Sequence, residues 1–225
     1  MPRTLLILAG VILGISLSAI LMLGRFATPA PAFHGTFIDP ADPRPDFQLR
    51  SGAETVGKST FAGRPLVVVF GYTSCPDVCP NTMSRLARTM ALLGEDAANV
   101  QVALISVDPD RDHPDLIQAY AAGFDPRFVG LTADRETLAA VARDFGIHHQ
   151  KAGESGHAGH GAPAENQDEY PSAHAPEHAA GLYLVDHTTS MTVLDANGDA
   201  RLLWAYETPP EAMAEDLRTL LKLKV

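Results

Sequence analysis

Hydrophobic residues along this chain follow two patterns, short unbroken runs and helical spacing. The run PLVVVFGY at residues 65–72 is rich in β-branched residues and predicts a fully buried strand. Apolar residues then recur three or four positions apart, at Met83, Leu86, Met90 and Leu93. This spacing predicts an amphipathic helix over residues 80–94, with Pro80 in its first turn and Gly94 at its end.

The same two patterns alternate along the rest of the chain. Further strands are predicted at residues 36–38, 100–107, 127–131, 182–185, 191–194 and 202–206, and further helices at residues 113–124, 134–145 and from residue 209 onwards. A DANG turn at residues 195–198 joins the last two strands into a hairpin. Strands that alternate with helices, closed by a hairpin and a helix, predict an α/β fold of the thioredoxin-like class, with a mixed central sheet and flanking helices.

The N-terminus has a different pattern, because residues 5–23 carry no charge at all. As a helix this run measures roughly 28 Å, close to the ~30 Å hydrocarbon core of a bilayer. Residues 1–26 are therefore predicted to be a transmembrane helix that anchors the chain. The small residues ATPAPA at 27–32 leave a cleaved signal peptide open, whereas the lack of an amphipathic period disfavours a buried helix of a soluble domain.

The anchor sets the expected organisation and location of the chain. Residues 27–35 form a Pro/Ala-rich linker, and residues 36–225 are expected to form the folded domain. Arg3 and Arg25 flank the apolar run, so charge gives only a weak indication of orientation. We expect a single-pass protein of a bacterial inner (plasma) membrane, with its folded domain in the periplasm.

One segment within the domain, residues 148–178, does not have the composition of a packed structure. It contains no Val, Ile, Leu or Phe and is predicted to be a mobile loop insertion. It holds six of the nine histidines, His148, His149, His157, His160, His174 and His178. Imidazoles on a flexible tether favour weak, promiscuous metal binding, while a solvated insertion without a metal role is the alternative.

Composition narrows the function further. The formal net charge of −10 and the absence of a basic block exclude a nucleic-acid-binding protein. The apolar fraction of 46% with 20% charged residues is typical of a globular chain. Two cysteines are too few for a disulfide-dense scaffold, a four-cysteine zinc site or a four-cysteine iron–sulfur cluster.

Those two cysteines, Cys75 and Cys79 in TSCPDVCP, are the main candidates for chemistry. They follow the buried strand and begin the next helix, where ligands gather in α/β sheets and where the helix N-terminus lowers a thiol pKa. A spacing of four places both sulfurs on one helix face, which suits a shared metal or a disulfide. Two inert buried cysteines are the alternative.

A pair of thiolates selects soft cations, above all Cu(I), and one more donor would complete a three-coordinate site. His187, in LVDHTTS at the end of a predicted strand, is the best placed of the nine histidines. A histidine in such a position can equally be a surface residue or a hydrogen-bonded core residue.

Four motifs in order, DFQL, FGYTSCPDVCP, ISVDPDRDHP and YLVDHTTSMTVLD, resemble the Sco/SenC family of copper-handling thioredoxin-like proteins. The similarity covers about residues 36–221, and the His-rich segment is a departure from it. The resemblance implies that Cys75, Cys79 and His187 bind copper, as Cu(I) or Cu(II), and that Asp108 supports the site from behind.

The same resemblance implies a role in the assembly of cytochrome c oxidase. The chain would deliver copper to the CuA-bearing subunit of the oxidase, and other periplasmic copper chaperones would be further partners. The alternative is a thiol–disulfide reductase in which Cys75 and Cys79 are catalytic and keep the CuA-site cysteines reduced. A peroxidase is disfavoured, because Tyr72 stands where peroxiredoxins have the threonine that precedes their reactive cysteine.

Overall fold

The computed structural model describes residues 12–14, 18, 32–147, 149–151, 185–187 and 190–223. Residues 33–225 form one compact unit and residues 1–32 form another. In the described part of the chain, no helix combines the length and the apolar character that a membrane crossing requires. Most of the predicted anchor at residues 5–23 lies outside the described residues.

The folded unit contains ten strands and four α-helices among its described residues. The strands are β1 (Thr36–Pro43), β2 (Gln48–Ser51), β3 (Glu54–Gly57), β4 (Leu66–Gly71), β5 (Gln101–Ser106), β6 (Val129–Leu131), β7 (His149–Lys151), β8 (Val185–His187), β9 (Met191–Leu194) and β10 (Asp199–Trp204). The helices are α1 (Val78–Leu93), α2 (Pro114–Ala122), α3 (Arg135–Asp144) and α4 (Pro210–Leu223). Short 3-10 turns lie at Lys58–Phe61 and Gly94–Asn99.

Six strands form the central sheet in the order β1-β10-β9-β4-β5-β6. The β4–β5 and β5–β6 pairs are parallel, whereas β9 runs antiparallel to β4, and β10 and β1 continue the antiparallel part. Two further two-stranded sheets pair β2 with β3 and β7 with β8. The mixed sheet with flanking helices confirms the predicted α/β class.

The sheet separates two hydrophobic cores, because successive side chains of a strand point to opposite faces. On one face, Val67 and Val69 of β4 pack in a cluster with apolar side chains of α1, α2 and α4. On the other, Val68 and Phe70 pack with the β2–β3 hairpin and α3. All six residues of β4 are buried, as its unbroken apolar run predicts.

The structure departs from the predicted elements mainly in three places. Strand β1 extends to Pro43 because it pairs with β10 along its length, with an irregularity between Phe37 and Asp42. The β2–β3 hairpin was not predicted, since its sequence lacks a regular alternation. His149–Lys151 is a strand paired with β8, so His149 does not lie in a loop as expected for residues 148–178. The rest of that segment lies outside the described residues.

The beginning of the folded unit is tied to the C-terminal helix by Asp216. This carboxylate is buried and accepts hydrogen bonds from the backbone N–H of His34 at 2.8 Å and of Gly35 at 2.9 Å. It also accepts one from Trp204 Nε1 at 2.8 Å. One side chain of α4 thus holds the start of β1 and the end of β10 together.

Candidate metal centre

Cys75 and Cys79 lie where strand β4 ends and helix α1 begins, as the sequence predicts. The backbone N–H of Cys75 donates to the carbonyl oxygen of Tyr72 at 3.2 Å, which closes a tight turn after the strand. The backbone N–H of Cys79 donates to Cys75 Sγ at 3.4 Å, so the two cysteines share one turn of chain. Both are free thiols, Cys79 buried and Cys75 partly exposed.

The sulfur of Cys79 occupies space that is available because residue 71 is glycine. A Cβ atom at Gly71 would lie 2.9 Å from Cys79 Sγ and 3.2 Å from Leu104 Cδ1. Both distances are shorter than ordinary van der Waals contact, so any larger residue would displace the thiol. Gly71 is a determinant of the site that the sequence alone did not identify.

Burial dominates the electrostatics of Cys79 and raises the pKa of its thiol far above the usual value. A hydrogen bond with the Tyr72 backbone lowers this pKa, while Cys75 and the negative charge of Asp112 raise it further. The expectation of a lowered thiol pKa at the helix N-terminus is therefore wrong for Cys79, because desolvation outweighs the helix dipole. This thiol stays protonated at neutral pH in the absence of a metal.

Asp112 is the second determinant that the sequence did not identify. It is buried, and its carboxylate accepts hydrogen bonds from the Thr73 backbone N–H at 3.2 Å and the Thr73 hydroxyl at 2.5 Å. The hydroxyl of Ser106, at the end of β5, donates to the same carboxylate at 2.7 Å. Asp112 thus joins Thr73, which lies between the end of β4 and Cys75, to Ser106 at the end of β5.

Asp108, predicted to support the site, is buried and paired with Arg111. The Arg111 guanidinium in turn lies 5.4 Å from the ring centroid of Tyr72, which precedes the turn that carries Cys75. The backbone N–H of Asp108 donates to Ser106 Oγ at 3.0 Å. Asp108 therefore reaches the cysteine turn through Arg111 and Tyr72.

A tyrosine from helix α2 lies in the same electrostatic environment. Burial raises the pKa of Tyr120 to about 12, with smaller contributions from Cys79, Cys75 and Asp112. Its buried hydroxyl has no hydrogen-bond partner among the described residues. The phenol is thus a neutral group at physiological pH.

His187 is the last residue of β8, and its backbone register partner on β7 is His149. Within the part of the chain whose side chains are described, no set of three or more His, Cys, Asp and Glu side chains forms a metal-binding group. The joining of His187 to the two cysteines stays a prediction. Five of the loop histidines, His148, His157, His160, His174 and His178, lie outside the described residues.

Comparison with known proteins agrees with this architecture. An SCO2-like protein of Rickettsia conorii is 26% identical over 174 residues, covering 77% of this chain and 74% of its own. The structure of Bradyrhizobium japonicum ScoI with copper bound superimposes with a TM-score of 0.62 and 29% identity, covering 79% of this chain and 98% of that one.

The apo Sco1 protein of Thermus thermophilus superimposes with a TM-score of 0.65 and 31% identity, over 87% of this chain and 99% of its own. Residues 38–222, most of the folded unit and all four sequence motifs, match the family described as SCO1/SenC. The chain therefore belongs to the SCO1/SenC family.

Proposed function

We propose that this protein binds copper through Cys75, Cys79 and His187 and delivers it to the CuA-bearing subunit of cytochrome c oxidase. The observation that carries the proposal is the pair of free thiols on one turn at the carboxyl end of β4. Two sulfur donors suit copper, and the related ScoI of Bradyrhizobium japonicum has been solved with copper bound. Membership of the SCO1/SenC family supports cytochrome c oxidase as the recipient of the copper.

Copper is the cargo in this proposal, and the thiols must release protons to take it. Because burial raises the pKa of the Cys79 thiol, copper competes with a proton that is firmly held at neutral pH. Affinity for copper should therefore increase with pH and fall as the solution is acidified. The proton that returns to Cys79 lowers the cost of releasing the ion, which suits a protein that passes its cargo on.

Thiol–disulfide reduction is the second function, favoured by the unequal exposure of the two cysteines. Cys75 is partly exposed, so its thiolate attacks one sulfur of a substrate disulfide and releases the other substrate sulfur as a thiol. The Cys79 thiol then gives up its proton and attacks the sulfur of Cys75, which forms the Cys75–Cys79 disulfide and frees the second substrate thiol. Two electrons and the two cysteine protons pass to the substrate.

Titration of the reduced protein with Cu(I) and Cu(II) tests the copper proposal. Cys75→Ser and Cys79→Ser should each abolish tight binding, and oxidation of the pair to a disulfide should do the same. His187→Ala should weaken copper binding strongly while the dithiol still reduces a disulfide substrate. His34→Ala is the matched control, since it removes an exposed imidazole that pairs with Glu215 of helix α4.

Unchanged affinity for both copper states in His187→Ala would show that His187 is not a ligand. Retention of a tight, stoichiometric Cu(I) site in either cysteine variant would contradict the copper proposal as a whole.

A further inference from the structure

A cavity of about 300 Å³ lies at the end of strand β4 that is remote from the cysteines. Its walls come from the 3-10 turn at Lys58–Phe61, the loop before β4 and the turn that joins β9 to β10. Leu66 begins β4 and lines the cavity, whereas Gly71 ends the same strand beside Cys79. A strand of this length spans roughly 17 Å, so the cavity and the dithiol are separate sites.

Hydrogen bonds hold the walls of this cavity in place. The backbone N–H of Gly63 donates to the carbonyl oxygen of Ala196 at 2.9 Å, which ties the loop before β4 to the β9–β10 turn. Within that turn, the Asp195 carboxylate accepts hydrogen bonds from the backbone N–H groups of Asn197 at 2.8 Å and Asp199 at 3.1 Å. The cavity is therefore preformed, as sites for small molecules usually are.

Three large apolar side chains line the cavity, namely Phe61, Leu66 and Leu194. All three are buried members of one hydrophobic core cluster, so their positions are fixed by packing. The cavity volume is roughly twice the ~150 Å³ of a cavity that accommodates benzene. The space and the apolar lining thus suit one ring or branched alkyl group with a short side chain.

Two cations at the cavity, Lys58 and Arg64, have no acidic partner. Both side chains are half-buried, and neither forms an ion pair with a carboxylate of the residues that the structure describes. The ammonium of Lys58 donates to the carbonyl oxygen of Arg44, which leaves its charge uncompensated. Both positive charges are therefore available to an anion.

The two acidic residues of the lining differ in how far they oppose these cations. Asp195 is buried, and Arg201 Nε donates to its carboxylate at 3.2 Å, so its charge is compensated. Asp46 is exposed, and its Oδ1 accepts hydrogen bonds from the backbone N–H groups of Phe47 at 2.9 Å and Lys58 at 3.0 Å. One carboxylate against two cations leaves the cavity positive, in a chain whose formal net charge is −10.

We propose that this cavity binds a small apolar carboxylate. The planar guanidinium of Arg64 matches the geometry of a carboxylate, and Lys58 adds a second positive charge. The apolar part of the ligand packs against the side chains of Leu66 and Leu194, which an inorganic anion would leave uncovered. The carboxylate can belong to a free small molecule or to the C-terminal residue of another chain. This proposal does not depend on copper binding.

Titration of the full-length protein with phenylacetate, followed by nuclear magnetic resonance, tests the proposal. Backbone amide resonances of Gly63, Arg64 and Gly198 should shift, while those of Cys75 and Cys79 should not. Phenylacetamide, which has the same shape without the charge, should bind at least about tenfold more weakly, equivalent to about 1.4 kcal/mol. This comparison uses the wild type alone and so does not depend on the folding of a variant.

Substitutions at the two kinds of charge should change the affinity for phenylacetate in opposite directions. Arg64→Gln should weaken binding at least about tenfold, again equivalent to about 1.4 kcal/mol. Asp46→Asn should strengthen it about threefold, because the amide oxygen still accepts the two backbone hydrogen bonds while the opposing charge is gone. Arg50→Gln is the matched control, since it removes an exposed arginine that does not line the cavity.

A tripeptide with a free C-terminal phenylalanine distinguishes the two sources of the carboxylate. Tighter binding of phenylacetate identifies a free small molecule as the ligand, and tighter binding of the tripeptide identifies a chain end; both results support the site. Equal affinities for phenylacetate and phenylacetamide would overturn the proposal, as would equal affinities of Arg64→Gln and Arg50→Gln for phenylacetate. Sulfate that binds more tightly than phenylacetate would also overturn it, because the apolar lining would then have no role.

Discussion

At Gly71, the absence of a Cβ atom leaves room for the buried thiol of Cys79. The residue lies at the end of β4, and the sulfur of Cys79 fills the volume where a Cβ would stand. Cys79 is eight positions further along the chain, so this requirement depends on how the turn between them folds. The space available to the buried Cys79 thiol is therefore set by a residue of β4 and not by the helix that carries Cys79.

Gly71→Ala should disturb the dithiol more than the fold. The added Cβ would lie 2.9 Å from Cys79 Sγ, and overpacking of this kind costs about 1–3 kcal/mol. We expect faster alkylation of Cys79 and weaker Cu(I) binding, measured by mass spectrometry and by competition with a Cu(I) chelator. Gly123→Ala is the control, because Gly123 already has helical backbone angles and should tolerate alanine. Alkylation rates equal to the wild type would contradict the steric role of Gly71.

The variant Asp112→Asn tests whether this carboxylate supports the cysteine turn. The amide cannot accept all the hydrogen bonds that Thr73 and Ser106 donate to the carboxylate, so we expect a loss of about 1–3 kcal/mol in the free energy of unfolding. Removing the negative charge should also lower the pKa of Cys79 and speed its alkylation at a given pH.

Asp216→Asn is the matched control for this variant. Asp216 is equally buried and accepts three hydrogen bonds from His34, Gly35 and Trp204, in a different part of the fold. Its variant should lose stability without any change in thiol reactivity. If Asp112→Asn behaves in the same way, Asp112 has a structural role alone.

The sequence identifies the two cysteines but not Gly71 and Asp112, and the case of Asp112 shows the physical reason. Asp108, Asp110 and Asp112 alternate in DPDRD, and nothing in the letters distinguishes them. In the structure Asp112 is buried against the cysteine turn, whereas Asp110 is exposed and pairs with Arg135 at 2.6 Å. Their difference arises from the path of the chain after β5, which depends on tertiary contacts.

At the level of elements, the alternation of strands and helices could be predicted because each buried run is long and regular. Strand β4 and helix α1 lie within two residues of their predicted bounds. The β2–β3 hairpin and β7 could not be predicted, since their stability comes from pairing with partners and not from local apolar pattern. Strand β7 is only three residues long and has polar residues, HQK, throughout.

Helix α3 leads into Gly146 and then to β7, and its N-terminus is capped by Asp134. The Asp134 carboxylate accepts a hydrogen bond from the backbone N–H of Thr137 at 2.9 Å and another from its hydroxyl at 2.8 Å. These bonds lower the pKa of Asp134 below its usual value of 3.8. The cap therefore stabilises the helix above the unfolded pKa, and its contribution is lost as the pH falls through the folded pKa.

Asp134→Ala should accordingly lower the urea midpoint at neutral pH, and the difference from the wild type should shrink in acid, below the folded pKa. Asp134→Asn is the control, because asparagine caps helices well and its amide does not titrate in this range. An alanine variant that loses the same stability at neutral and acid pH would contradict an ionised cap.

At the level of the whole molecule, the proposed site draws on three separate stretches of chain. The cysteine turn follows β4, the aspartates follow β5, and His187 ends β8. The first two stretches meet because β4 and β5 are parallel neighbours, with Gly71 opposite Ser106. This convergence is a property of sheet topology, and the order of the motifs along the chain already indicates it.

Deletion of residues 152–177 tests whether the His-rich segment is separable from the rest of the molecule. Residues 178–184 would then join β7 to β8, a connection slightly longer than the roughly 2–5 residues of most hairpin loops. We expect the fold and the tight copper site to persist, while total metal capacity falls and loading slows when copper is scarce. Circular dichroism, metal analysis and stopped-flow loading check this. Equal capacity and equal loading rates in deletion and parent would assign the segment no metal role.

The clamp formed by Asp216 has a mechanical consequence. Any tension applied through the residues before Phe33 reaches the folded unit at His34 and Gly35, where one buried carboxylate holds both backbone N–H groups. Strand β1 is the edge of the central sheet, so if the clamp opens, β1 can peel from β10 while the rest of the sheet stays paired. The uncovered β10 would then present a row of free backbone groups to other chains, a template for aggregation. The three hydrogen bonds of Asp216 are therefore expected to resist both the peeling of β1 and self-association through β10.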